Sequence, residues 1–212
     1  MAEEIRIDTS VGLALVAWDA PAKPRSLLVL GHGAGGGVDV SDLLAIRRTA
    51  VAAGHAVARV TQPYRVAGRR APAPAKVLDA AFIDVVAELR KRSRAALVVG
   101  GRSSGARVAC RTAEATGARG VLALSFPLHP PGRPDRSRAD ELRGVRIPTL
   151  IVQGDRDPFG GPAEVADPPL PANFQMHIVP GGNHGFAVRK GEPPALPGIT
   201  NAVLGWLDEL LG

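Results

Sequence analysis

From residue 27 onward, short apolar runs of strand character alternate with stripes of helical period, and no other feature restricts the fold as strongly. The runs are Leu27 to Leu30, Ala56 to Val60, Ala96 to Val99, Val121 to Leu124, Leu150 to Val152, and Met176 to Val179. Each is almost wholly apolar, as parallel strands covered on both faces must be. Between the second and third runs, Val77, Leu78, Ala81, Phe82, Val85, Val86 and Leu89 recur on one side of a helix. The closing segment repeats that stripe through Ile199, Val203, Trp206, Leu207, Leu210 and Leu211. Strand–helix alternation of this kind predicts a three-layer α/β fold with a mostly parallel, doubly wound sheet and right-handed crossovers. Ahead of it, Ile5-Arg6-Ile7 and Leu13 to Trp18 predict an antiparallel pair about the Ser10-Val11-Gly12 turn. Arg65 to Ala75 and Leu128 to Ala139, rich in Pro, Gly and Arg, read as long surface loops. The 212 residues, 45% of them hydrophobic, supply one core, so residues 1–212 are expected to form a single domain.

Several function classes find no support. Cys110 is the only cysteine, which excludes a disulfide framework and a cysteine zinc site. No metal or nucleoside-triphosphate motif appears, so neither metal nor cofactor is expected. The acidic start lacks the apolar stretch of a signal peptide, and no run approaches the roughly 18 apolar residues of a membrane span. A cytoplasmic protein without a membrane partner is expected. The net charge of +6 is carried almost entirely by arginine, the lysines being Lys23, Lys76, Lys91 and Lys190. The densest run, Arg90 to Arg94, follows the first helical stripe, where a helix C-terminus favours cations. With few aromatics near these charges, a solvated basic surface is expected rather than a nucleic-acid partner.

The chemistry concentrates at three strand ends. Gly101-Arg102-Ser103-Ser104-Gly105 follows a strand and precedes a helical pattern, the context in which G-x-S-x-G forms a nucleophile elbow. Residues two before and two after the serine nearly touch in such a turn, hence a glycine at both places. The spacing selects Ser103 as nucleophile and leaves the Ser104 N–H to face an oxyanion. A serine needs a base, and the base an orienting carboxylate, in the chain order Ser, acid, His for this architecture. Asp155 and Asp157 both follow the run Leu150 to Val152. Asp157 is favoured because it lies farther out on the loop and Pro158 biases it to an extended or turn conformation, whereas Asp155 suits a turn that bonds its own backbone. His184, framed by Gly182-Asn183 and Gly185 after the last strand, is the histidine that follows the acid at a strand end. His177 lies within a strand, and His55 lies at the wrong end of the sheet.

The first glycine loop carries two readings. Gly31-x-Gly33-x-x-Gly36 matches a dinucleotide fingerprint, which expects an immediate helix and a carboxylate about 20 residues on. Here Gly36-Gly37 delays the helix to about Asp39 or Ser41, both good caps, and the next strand ends in Thr61-Gln62-Pro63-Tyr64-Arg65 without an acid. Arg65 leaves an NADP variant open. In the other reading the loop precedes the elbow as an oxyanion-hole loop does, with the Ala34 N–H assisted by Ser104. His32 is then a strut of that loop or a pocket residue.

With these pieces in hand, the chain resembles the alpha/beta-hydrolase superfamily over nearly its whole length. It is similar to the small, capless, dienelactone-hydrolase-like group that includes the hydrolase-like domain of the NSL acetyltransferase-complex regulatory subunit. The resemblance rests on Gly31 to Gly36, Gly101 to Gly105, Ser125 to Gly132, Gly154 to Gly160 and Gly182 to His184. It implies a triad of Ser103, Asp157 and His184, an oxyanion hole at Ala34 and Ser104, and little or no cap. It also implies His129 as a pocket residue or an ordinary loop residue, and Arg102 beside the nucleophile suits an anionic substrate or points to solvent. Dienelactone hydrolases use a cysteine where this chain has Ser103, which favours ester-type acyl transfer. The expected function is a serine hydrolase (carboxylesterase-like) cleaving a small-molecule ester. A non-catalytic interaction module on a hydrolase fold and an NADP-binding oxidoreductase are the alternatives.

Overall fold

The computed structural model describes residues 2–212. β1 (Glu3–Thr9) and β2 (Gly12–Asp19) form the predicted hairpin, with Ile5 opposite Val16 and Ile7 opposite Ala14. Strands and helices then alternate through β3 (Ser26–Gly31), α1 (Ser41–Ala52), β4 (Ala56–Thr61), the short α2 (Pro63–Val66), α3 (Ala75–Arg92) and β5 (Ala96–Arg102). They continue through α4 (Ser104–Thr112), β6 (Gly120–Leu124), α5 (Ala139–Arg143), β7 (Thr149–Gly154), the short α6 (Pro162–Val165), β8 (Phe174–Val179) and α7 (Ala195–Leu211). One eight-stranded sheet results, in the order β1-β2-β4-β3-β5-β6-β7-β8. β2 meets β4 antiparallel, and every pair from β4 to β8 is parallel.

Side chains of successive strand residues point to opposite faces, and each face has its own core. Leu27 and Val29 of β3 join Phe82, Val85 and Leu89 of α3 and Ala106 and Ala109 of α4. Leu28 and Leu30 join Leu43 and Ile46 of α1 and Val203, Trp206 and Leu207 of α7 on the other face. Arginines lock the first layer from outside. Arg107 meets Glu141 of α5 through two bonds of 2.7 and 2.6 Å, and Arg111 reaches both Asp79 of α3 and Glu141. Part of the basic composition thus fastens α4 to its neighbours. No helix among the described residues is long and apolar enough to cross a membrane.

Two local expectations need correction. The loop foreseen from Arg65 begins helically, because Pro63 opens a turn whose fixed φ already suits a helix. Neither Asp39 nor Ser41 caps α1: Val40 holds that place, and the Asp39 carboxylate pairs with Arg59 of β4 instead.

A very close backbone approach joins β3 to the start of α4. Gly31 pairs in register with Gly101. A Cβ on Gly101 would stand 2.5 Å from the Gly31 carbonyl oxygen, and one on Gly105 would overlap the same peptide. Both neighbours are backbone, so neither can rotate away. Gly105→Ala is therefore expected to destabilise the protein by about 2–3 kcal/mol in urea unfolding, the range of an overpacked core. Gly35→Ala, where an added Cβ meets nothing within 4 Å, is the control and should stay within about 0.5 kcal/mol. Equal stability of the two variants would contradict the packing argument.

Candidate active site

Ser103 stands between β5 and α4 with φ 53° and ψ −112°. That backbone is unfavourable for any residue with a Cβ and costs on the order of 1–3 kcal/mol. It is held there by Ser103 N donating to Leu124 O (2.9 Å) and by Arg107 N donating to Ser103 O (3.2 Å). The turn leaves the Ser103 hydroxyl facing the loops that follow β7 and β8.

Asp157 lies just past β7, buried at 5% exposure. A buried carboxylate needs donors, and three converge on it. Gln153 Nε2 donates to Oδ2 at 3.1 Å, Phe159 N to Oδ1 at 2.9 Å, and His184 Nδ1 lies 2.8 and 3.0 Å from the two oxygens. Gln153 is itself fully buried and also bonds Phe126 N, Phe126 O and Gly160 O, so the acid loop is pinned from beneath. Asp155, the alternative acid, is exposed.

His184 follows β8 in a turn built by its neighbour. Asn183 Oδ1 accepts from Gly185 N (2.8 Å) and Ala187 N (3.0 Å), and Phe186 sinks into the α1–α7 core beside it. The imidazole has Nδ1 against a carboxylate, so Nδ1 carries the proton and Nε2 is free to accept. Nε2 lies 2.9 Å from Ser103 Oγ. One ring face is covered by Phe159, stacked with centroids 4.1 Å apart. Ser103, His184 and Asp157 thus form one continuous hydrogen-bonded chain.

The loop after β3 runs beside this chain. Tyr64 Oη donates to Ala34 O at 2.7 Å, which fixes the orientation of that peptide. Ser104 opens α4, where first-turn N–H groups have no helical partner. Three residues for which a pocket role was one expectation make the following contacts, His32 taking its alternative as a strut. His32 is an interior strut: Gln62 N donates to its Nε2 (3.2 Å), so Nδ1 donates to Gly33 O (2.7 Å) and the ring is neutral. Burial lowers its pKa accordingly. The Arg102 side chain turns to Asp42 and to the carbonyl of His184, not to solvent.

His129 fastens two loops. Its Nδ1 meets Pro130 O at 2.9 Å and its Nε2 meets Glu164 Oε2 at 3.0 Å, two acceptors that together call for the imidazolium. Sequence inspection offered no signal for Gln153, Phe159 or Tyr64 in these roles, beyond the proximity of Gln153 and Phe159 to Asp157. A second Ser–His contact, Ser26 Oγ to His55 Nδ1 at 2.8 Å, is sealed in the interior at the opposite end of the sheet.

The His129 clasp sets a pH window. The Pro130 carbonyl, then Glu164, raise the His129 pKa above 6.5, and the Gly161 N–H, then His129, lower that of Glu164 below 4.5. A raised histidine stabilises fully below its unfolded pKa and loses that contribution as pH rises through its folded value. A lowered carboxylate stabilises above its unfolded pKa and loses it as pH falls. The melting-temperature gap between wild type and His129→Gln should therefore be widest between about pH 4.5 and 6.5 and shrink on going alkaline. A gap that widens with alkalinity would contradict the clasp.

The sequence profile of the alpha/beta hydrolase domain family matches residues 24–200. A Mycobacterium tuberculosis (strain H37Rv) protein with the provisional name phosphoribosyl transferase is 31% identical over an alignment of 206 positions that covers 91% of this chain. Only 43% of that relative is matched, so the chain spans less than half its length. Among solved structures, the lidless serine hydrolase XC6422 of Xanthomonas campestris superimposes with a TM-score of 0.78 at 22% identity, covering 98% of this chain and 94% of its own. Est1E of Butyrivibrio proteoclasticus gives 0.79 at 19% identity, with 98% of both chains covered. A dienelactone hydrolase of Anabaena variabilis gives 0.77 at 17%, covering 99% of this chain and 97% of its own. With a profile spanning most of its length and the sheet order described above, the chain belongs to the alpha/beta-hydrolase superfamily.

Proposed function

We propose that the protein is a serine hydrolase that cleaves small esters through an acyl-enzyme on Ser103. The observation that carries this reading is the relay from Ser103 Oγ through His184, 2.9 Å on one side and 2.8 Å on the other, to a buried carboxylate. Ser103 Oγ attacks the ester carbonyl while its proton passes to His184 Nε2. The resulting oxyanion is met by the N–H groups of Ala34 and Ser104. One such donor is typically worth ~3 kcal/mol of barrier. The imidazolium, steadied by Asp157, returns the proton to the departing alkoxide, which leaves as the alcohol. Water then repeats the sequence on the acyl-enzyme, releasing the acid and restoring Ser103.

Substrate size follows from what stands over the serine. The insertion between β6 and β7 contains only a single 3-10 turn and the five-residue α5. Among the described residues no cap domain encloses Ser103, which suits short acyl groups. The Arg102 charge next to the nucleophile is paired with Asp42, so a neutral ester fits better than the anionic substrate its position suggested.

A fluorophosphonate probe tests the assignment. Wild type and Ser104→Ala should label, and Ser103→Ala should not. Hydrolysis of p-nitrophenyl acetate by Ser103→Ala should fall by about 10³-fold or more. An unlabelled, inactive wild type would instead favour a non-catalytic interaction module on this fold.

A further inference from the structure

We propose that Arg102 and Asp42 form a clasp that sets the position of His184 over Ser103. Arg102 is the last residue of β5, adjoining the elbow, yet its side chain runs sideways across the site. Nη2 donates to the carbonyl oxygen of His184 at 3.0 Å. Nε lies 2.9 Å from Asp42 Oδ2, an ion pair in which no N–H is aligned on that oxygen. The guanidinium is wedged between two glycines. A Cβ on Gly33 would stand 3.4 Å from Nη1, and one on Gly185 would stand 3.3 Å from Nη2. The plane therefore lies in the gap between the loop after β3 and the histidine turn, within contact range of both backbones.

Its anchor is rigid. Asp42 is 2% exposed in the first turn of α1, with Oδ1 held by the Leu43 N–H at 2.7 Å. Burial raises the Asp42 pKa on balance, and the Arg102 charge offsets part of that rise. Three site-bearing elements, α1, the elbow and the turn after β8, are joined through one planar group. A planar, delocalised cation can stand against the carboxylate with one edge while another edge donates to the carbonyl. A lysine ammonium, a point charge on a flexible stem, does not reproduce both contacts. Arg102 is a positioning residue: it acts on the reaction through the main chain of His184. A displacement of about 1 Å at the base can cost ~10²-fold in rate.

This role rests on the serine-hydrolase reading, and its test separates the two. Arg102→Gln, Arg102→Lys, Asp42→Asn and the Asp42→Asn/Arg102→Gln double variant are assayed on p-nitrophenyl acetate, with melting temperatures alongside. The hydrogen-bonded His184 Nδ1 proton is followed by NMR in the substrate-free protein. Arg102→Gln is expected to lower kcat by about 10–100-fold with KM within about twofold, and to weaken the imidazole proton signal. Arg102→Lys should recover part of the loss, and the double variant should cost no more than Arg102→Gln alone. A raised KM at unchanged kcat, which marks a substrate-binding arginine, would overturn the clasp. So would a kcat within about twofold of wild type, or losses that add. If Arg102→Gln fails to melt cooperatively, Arg102→Lys decides by the same kcat and KM criteria. Should wild type show no turnover at all, the hydrolase reading falls. The NMR comparison then still judges the clasp, an unchanged imidazole signal counting against it.

Discussion

The backbone contact of Gly31 with Gly101 and Gly105 is the constraint on which the rest of the architecture hangs. It brings the N-terminus of α4 against β3 at a distance no side chain tolerates. That approach makes the turn at Ser103 tight enough to force φ to 53° and to present the hydroxyl at the C-terminal end of the interior strand β5. The strain is local and is offset by the hydrogen bonds that Leu124 and Arg107 make to the serine's own peptide groups. The same approach sets the glycine loop after β3 beside the serine, so that one packing event builds both the elbow and its neighbour.

The acid and the base opposite the serine are held by side chains from several strands and loops. Gln153 spends its amide on the acid loop, Asn183 shapes the histidine turn, and Phe159 covers one face of the ring. These residues lie on different strands and loops, yet each limits the movement of Asp157 or His184. A base fixed in tautomer and orientation before substrate arrives spends no energy on reorganisation during reaction. The loop after β6 joins this support through His129, whose backbone N–H donates to Phe159 O at 3.0 Å.

The architecture was largely legible because buried parallel strands and amphipathic helices leave periodic signatures in one dimension. All six apolar runs fall inside strands, and the elbow announces itself through glycines whose spacing is a steric necessity. Long-range pairing leaves no such trace. Arg102 meets His184 across 82 residues and Ser103 meets it across 81, but only the second pairing is suggested by residue type and chain order. An arginine beside a nucleophile reads equally well as a substrate contact, and a histidine in a proline-rich loop reads as a pocket wall. Their true destinations depend on Asp42 and Glu164, whose positions follow from packing that no local pattern encodes. The start of α1 makes the same point: Asp39 looked like a cap because caps are local, and it was drawn instead to Arg59 of β4.

The central claim is that acyl transfer passes through Ser103. Its most direct test is intact-protein and peptide mass spectrometry on wild type quenched early in p-nitrophenyl acetate hydrolysis. The account predicts a mass increase of one acetyl group on the peptide that contains the elbow, with fragmentation assigning it to Ser103. The adduct should disappear after the substrate is exhausted. An acetyl group located on any other residue, or turnover with no acetylated protein even at rapid quench, would contradict it.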